Sequence, residues 1–198
     1  MMLDSLMWAL GRGSGLTGFA LLTLALLLGV VAISGRALFG VPRFAWQSMH
    51  RDAALVSVAL VVVHVIALLL DPYAQLTITD VVLPFRAEAD TFWVGLGTVA
   101  FDVLVALAVT GLARRRIGPR VFHSIHLATY ALWPVAAAHA IGSGSDVNGW
   151  AAVVTVIGIG GGAWICSLVL KARSAAWRGG LQPLPARRLP DTSERTMR

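Results

Sequence analysis

Cysteine is nearly absent from this chain. Its one thiol, Cys166, sits in an apolar run, which excludes an internal disulfide and any site built from several thiolates and leaves a small packing residue. Charge is scarce as well: 13% of the 198 residues are charged and 57% are hydrophobic, where soluble domains run near 25% and 45–50%. Mean hydropathy is +0.76. These values exclude a disordered chain and argue against an ordinary cytosolic enzyme. The formal net charge of +6 raises nucleic acid as a partner, but a chain this apolar has no groove for its basic residues to line. They are better read as marking one side of a bilayer, with membrane lipid as the first partner. No basic n-region opens the chain, and the first positive charge is Arg12, so no cleavable signal peptide is expected. There is no G-x-G-x-x-G fingerprint, no P-loop, no H-E-x-x-H and no acidic ladder of the kind a proton pump carries.

What is present is a set of long apolar runs. Five stretches reach the roughly 20 residues needed to span a bilayer: about 16–34, 53–70 (with its helix starting near Trp46), 92–113, 121–141 and 150–170. They are too continuous for the alternating strands of an outer-membrane barrel. The expected fold is an all-α integral membrane bundle of about five transmembrane helices. Residues 1–15 read as an N-terminal interfacial segment or an extension of the first span, 16–171 as the transmembrane domain, and 172–198 as a basic, disordered, lipid-facing tail. That tail is too short for a flavin or nucleotide domain. Gly158, Gly160, Gly161 and Gly162 in the fifth span suit close helix packing.

Orientation follows from the cations. Segments 35–52, 113–122 and 171–198 hold 14 Lys and Arg, whereas 1–15, 71–91 and 142–149 hold two, Arg12 and Arg86. The positive-inside rule then puts the N-terminus outside and the C-terminus and the Arg114-Arg115-Arg116 loop inside. The 71–91 loop, with Asp71, Asp80, Glu88 and Asp90, suits the outer face of a multi-pass protein of the cell membrane.

The five histidines, His50, His64, His123, His126 and His139, all fall on the second and fourth spans or their inner ends. Ionisable residues within a membrane are rare and usually functional. His50 and His64 are fourteen apart, which returns to within about 40° of the same face and separates them by about 21 Å. His126 and His139 are thirteen apart, about 20 Å of rise. With both helices running from inside to outside, His50 and His126 share an inner level and His64 and His139 an outer one. Two stacked imidazole pairs across a gap between helices are the axial ligation that b-type haem requires, and two haems are expected. Thirteen residues leave His126 and His139 about 140° apart on an ideal helix, so a kink at Pro134 is expected to correct the phase. The rival reading is a zinc-type site from His50, His123 and His126, as in a metal-ion transporter or sensor.

Met49-His50-Arg51 through His64, then Ile125-His126-Leu127-Ala128-Thr129-Tyr130 through His139, resembles the ferric reductase-like transmembrane domain superfamily. That group includes ferric reductases, NADPH oxidases and the haem-binding subunit of the bacterial periplasmic methionine sulfoxide reductase system. Its histidine helices commonly show spacings of fourteen and thirteen, and the likeness covers roughly residues 16–170. The resemblance implies iron as haem b, membrane-crossing electron transfer, a flavoprotein or quinol donor on the inner side, and an outer acceptor or redox partner protein. Many members carry Trp-Arg ahead of the inner histidine where this chain has Phe122-His123, which leaves His123 and His126 both open as the inner ligand. The chain is expected to be an oxidoreductase component, its donor supplied by another polypeptide or the quinol pool.

Supporting residues each have two readings. Asp102, mid-span, is expected to face the bundle interior, as a histidine partner or as an interhelical hydrogen bond. Arg43, Arg51 and Arg120 pair with propionates or serve as topology charges. Trp46, Trp93 and Trp150 are interfacial anchors or pack on a haem face. Tyr130 and Trp133 are core packing or line the path between the two levels.

Overall fold

The computed structural model describes residues 2–34 and 41–144 and, within the predicted fifth span, 157–159, 161, 162, 165, 166 and 169. Every named element is a helix: α1 (Met2–Ser34), α2 (Arg43–Leu70), α3 (Ile78–Val82), α4 (Thr91–Leu112), α5 (Pro119–His126) and α6 (Thr129–Gly142). Three are long and apolar enough to cross a membrane, over Ser5–Ala32, Phe44–Leu70 and Thr91–Leu112. The described residues of the fifth span are helical; Trp150, Gly160 and the basic tail lie outside the described residues.

Prolines and small residues set the boundaries. Pro42, extended at φ −70° and ψ 151°, precedes α2. At its far end Pro72 disfavours helical geometry at Asp71, which is extended at ψ 111°, and Asp71 Oδ1 accepts a hydrogen bond from the Tyr73 amide (3.0 Å). α1 has no such stop before Ser34, so residues 2–15 continue the first span in one helix.

The fold is two helical hairpins face to face. α1 packs along α2, and α4 packs along α6; the hairpins meet through α1 against α6 and α2 against α4. The shared core holds Phe19, Leu22 and Leu26 of α1, Ala100, Leu104 and Leu107 of α4, Leu132, Trp133 and Ala137 of α6, and Ile165. Trp133 donates its indole N–H to Thr23 Oγ1 (2.9 Å), which donates in turn to the Phe19 carbonyl (2.9 Å). The Phe19 and Trp133 rings lie 5.8 Å apart. Trp133 is therefore a core residue joining the hairpins. Added Cβ atoms at Gly158 and Gly162 would lie 3.1 Å from Phe19 and 2.7 Å from Trp133, so these glycines admit the fifth span to the same core. Outward, α2 presents Leu55, Val56, Val62 and Ile66, an apolar surface suited to lipid.

The acidic 71–90 connection folds back on α4. Thr98 Oγ1 donates to the Asp80 carbonyl (2.7 Å), and the Phe85 ring occupies the space above Gly95. Phe85 itself is left-handed at φ 63°, a strained setting for an aromatic residue; its ring contact with Gly95 accompanies it.

The predicted fourth span is not one helix. It breaks at Leu127 and Ala128 into α5 and α6, while α6 runs on through Pro134. The interruption thus lies upstream of the expected site.

Candidate functional site

The histidines of α2 belong to a ladder. His50 Nδ1 is 2.6 Å from the Ala25 carbonyl, Ser57 Oγ is 2.8 Å from that of Gly18, and His64 Nδ1 is 2.7 Å from that of Gly11. The carbonyls are seven residues apart on α1 and the donors seven apart on α2, running in opposite directions. Seven residues is close to two helical turns, so an antiparallel pair repeats the same contact at each step. A carbonyl oxygen only accepts, so each Nδ1 carries the proton and each Nε2 is left as the lone-pair nitrogen.

Glycines make the rungs possible. A Cβ at Gly15 would lie 2.7 Å from His64 Nδ1, and one at Gly29 would lie 3.2 Å from His50 Nδ1. Each glycine stands four residues after the carbonyl its histidine uses, on the next turn of the same face. The second hairpin repeats the device. His139 Nδ1 donates to the Trp93 carbonyl (2.8 Å), and a Cβ at Gly97, four residues on, would lie 2.6 Å from the ring. Three imidazoles are thereby held in one tautomer by the helix packed alongside.

The face-to-face hairpins bring the rings together in two pairs. His50 and His126 have ring centroids 6.0 Å apart at an interplanar angle of 81°. His64 and His139 are 6.4 Å apart at 74°. Since α2 is unbroken between its two histidines, the pairs are about 21 Å apart along it. The break after α5 accounts for the phase. Ala128, Tyr130 and Ala131 donate to carbonyls three residues back (2.9, 3.1 and 3.0 Å), a 3₁₀-like tightening in which each residue advances about 120° in place of 100°. Four or five such residues recover roughly 80–100° of the 140° shortfall. Rotation about Cα–Cβ absorbs a remainder of that size.

His126 differs from the other three. Its ring stacks on Phe122 (5.1 Å, 22°), and its Nδ1 is buried without a hydrogen-bond partner. Trp46 Nε1, one turn before His50 on α2, is the other such atom among the described residues. A buried N–H without an acceptor costs about 1–3 kcal/mol, so an acceptor suits this end of the bundle.

Other expected site residues are placed elsewhere. His123 is exposed, one turn before His126, and its ring makes no recorded contact with His50. The Arg51 guanidinium lies on the surface against its neighbour Asp52 (3.1 Å), and Arg120 is exposed. Asp102 overturns its expectation: it is exposed, not turned into the bundle. It lies about 180° around α4 from the face formed by Gly97, Ala100, Leu104 and Leu107. Among the described residues, no group of three or more His, Cys, Asp or Glu is placed to hold a metal ion, so His50, His123 and His126 do not gather into a three-histidine cluster.

Sequence reasoning missed Ser57 and the glycines. A signal was present: Gly15 and Gly29 are fourteen apart, the same interval as His50 and His64, and Ser57 stands midway between the two histidines.

The sequence model of a family described as ferric reductase like transmembrane component matches residues 14–137. No curated protein and no solved structure matched the chain.

Proposed function

This chain belongs to the ferric reductase-like transmembrane family, and from that premise we propose that it carries electrons across the membrane between two haem b groups. It is a multi-pass membrane protein; the proposal concerns the cofactor, the residues and the direction. The observation that carries it is the two imidazole pairs, each with one ring from either hairpin and about 21 Å apart along α2. His50 and His126 would hold one haem, and His64 and His139 the other. Each haem would take two imidazoles from the protein, so this reading needs no cluster of three.

Haem b, when bound, supplies an iron that accepts and releases single electrons. The protein's own part is to prepare the ligands. The carbonyls of Gly11, Ala25 and Trp93 hold the Nδ1 protons of His64, His50 and His139. That leaves Nε2 as the donor nitrogen and raises its basicity. The unpaired Trp46 N–H is a donor for a carboxylate at the His50 level. The apolar core between the levels excludes water and lowers the local dielectric. The positive-inside rule makes the His50 level the inner one in a cell membrane, so electrons enter there from a flavoprotein or quinol and leave from the His64 level to an outer acceptor.

The visible spectrum of the purified protein, with haem per chain quantified, tests this reading. The expected result is a Soret band that shifts on reduction, a low-spin α band and two haems. One haem per chain supports the single-haem form suited to a methionine sulfoxide reductase system, and a colourless protein refutes haem binding. His64→Ala and His139→Ala should remove the same spectral component; different losses would break the pairing.

A further inference from the structure

The carbonyl that locks His139 is placed differently from the other two. Gly11 and Ala25 lie inside the long α1, whereas Trp93 belongs to the first turn of α4. A first turn carries unpaired amides and frays unless it is held. Asp90, at the cap position of α4, is left-handed at φ 46° and makes no side-chain cap hydrogen bond. The turn that orients His139 therefore needs support from outside its own helix.

The Trp93 ring supplies it. The indole lies on Gly142, where an added Cβ would run into Cδ2, Cε3 and Cε2 of the ring. Gly142 closes α6 and follows His139 by three residues, nearly one turn along the same face. Trp93 thus meets α6 twice, through its carbonyl at His139 (2.8 Å) and through its ring at Gly142. Two contacts almost a turn apart fix both the height and the rotation of α6 against α4. Phe92 meets the indole in a T-shaped contact (centroids 5.0 Å apart, 74°), and lies 6.2 Å from Phe85, whose ring covers Gly95. Rings packed in this way leave the indole little freedom to turn. Ser143 Oγ also lies 3.4 Å from His139 Nδ1. It is exposed and follows His139 on the same stretch of chain, so it moves with the ring and cannot fix it.

We propose that Trp93 is the positioning residue of the His64 and His139 level: its indole, seated on Gly142, keeps the Trp93 carbonyl where it accepts the His139 Nδ1–H. The positioning stands without a cofactor, and its redox consequence rests on the proposed haem at this level. A hydrogen-bonded Nδ1–H makes Nε2 the more basic donor. Oxidised iron gains more from a basic donor than reduced iron does. Loosening the indole therefore raises the midpoint potential of this level and leaves the His50 level, locked by a carbonyl of α1, unmoved.

The test uses the full-length protein in lipid nanodiscs, labelled with 15N-histidine and kept reduced, so that the exchange of each Nδ1–H with solvent can be followed by NMR. The His139 signal is assigned by its loss in His139→Gln. Trp93→Leu, and Gly142→Ala from the opposite side of the contact, should each speed its exchange about fivefold to tenfold, the factor that losing one hydrogen bond brings. Trp93→Phe, which keeps a flat ring, should stay within about twofold of the parent. The His50 signal should not move in any of them, and Ser143→Ala should leave His139 unchanged. In a redox titration followed by EPR, Trp93→Leu should move one low-spin component to higher potential and leave the other in place. Unchanged His139 exchange in both Trp93→Leu and Gly142→Ala overturns the proposal. So does equal acceleration at His50, which would mark general loosening, or acceleration in Ser143→Ala. A colourless protein would refute the haem reading alone, because the exchange measurement still decides the role of Trp93.

Discussion

Placing a methyl group at Gly97 perturbs His139 without touching the histidine itself. The added Cβ would lie 2.6 Å from ring Cε1 and 2.8 Å from Nδ1. Ordinary contact begins near 3.4 Å, so the ring must retreat by about 0.8 Å. A retreat directed away from the carbonyl opens the Nδ1 to Trp93 distance of 2.8 Å to as much as about 3.6 Å, beyond hydrogen-bond range. An unpaired Nδ1–H costs about 1–3 kcal/mol, and the ring loses both its tautomer lock and its position. Gly15→Ala meets His64 at 2.7 Å and should behave similarly, while Gly29→Ala meets His50 at 3.2 Å, where a shift of a few tenths of an ångström suffices. Gly13→Ala and Gly111→Ala meet nothing within 4 Å and should be neutral, or stabilising by up to about 1 kcal/mol through helix propensity. The assay is thermal unfolding of the five variants in one detergent, with the low-spin haem signal recorded on the same samples. The expected order of damage is Gly97→Ala and Gly15→Ala well beyond Gly29→Ala, with the two controls at or above the parent. Equal loss in all five, or an intact His64 and His139 level in Gly97→Ala, would refute the seating role of the glycines.

Other outcomes follow from the same geometry. His126→Ala should abolish the low-spin signal of the His50 level in redox-titrated EPR, while His123→Ala, at an exposed position, should only shift its midpoint potential; the reverse result would exchange their roles. Ser57 is fully buried against Gly18, so Ser57→Leu should force α1 and α2 apart and lower the melting temperature, whereas Ser57→Ala should cost only about 0.6 kcal/mol; equal melting points for the two variants would refute the tight contact. Asp80, outside the spanning helices, accepts hydrogen bonds from the Thr77 hydroxyl (2.6 Å) and amide (2.9 Å), which hold its carboxyl below the usual range. A depressed folded value adds stability above the unfolded value of about 3.9 that is lost as pH falls through the folded one. Protease resistance of the 71–90 connection should therefore be flat from pH 8 to 5 and decline below about pH 4; a decline centred near neutrality would refute this.

The membrane class and the two-level histidine arrangement were legible in the sequence because both rest on one-dimensional quantities. A helix crosses a bilayer by length and hydropathy, and fourteen residues return near to the same face at any depth. The α1–α2 and α4–α6 pairings, and with them the carbonyl that locks each imidazole, depend on which small residue faces which ring. Periodicity within one helix does not contain that information, although the repeated fourteen of Gly15 and Gly29 was a trace of it. The break at Leu127 and Ala128 was likewise hidden, since neither residue is a helix breaker, whereas Pro134, the obvious candidate, is carried within α6. Asp102 shows the limit from the other side. Hydropathy placed it at mid-span, and the cost of burying charge in lipid argued that it should turn inward. Its direction was decided instead by the face of α4 that Gly97, Ala100, Leu104 and Leu107 commit to α6 and the core, because a helix cannot rotate one residue inward without rotating the others out.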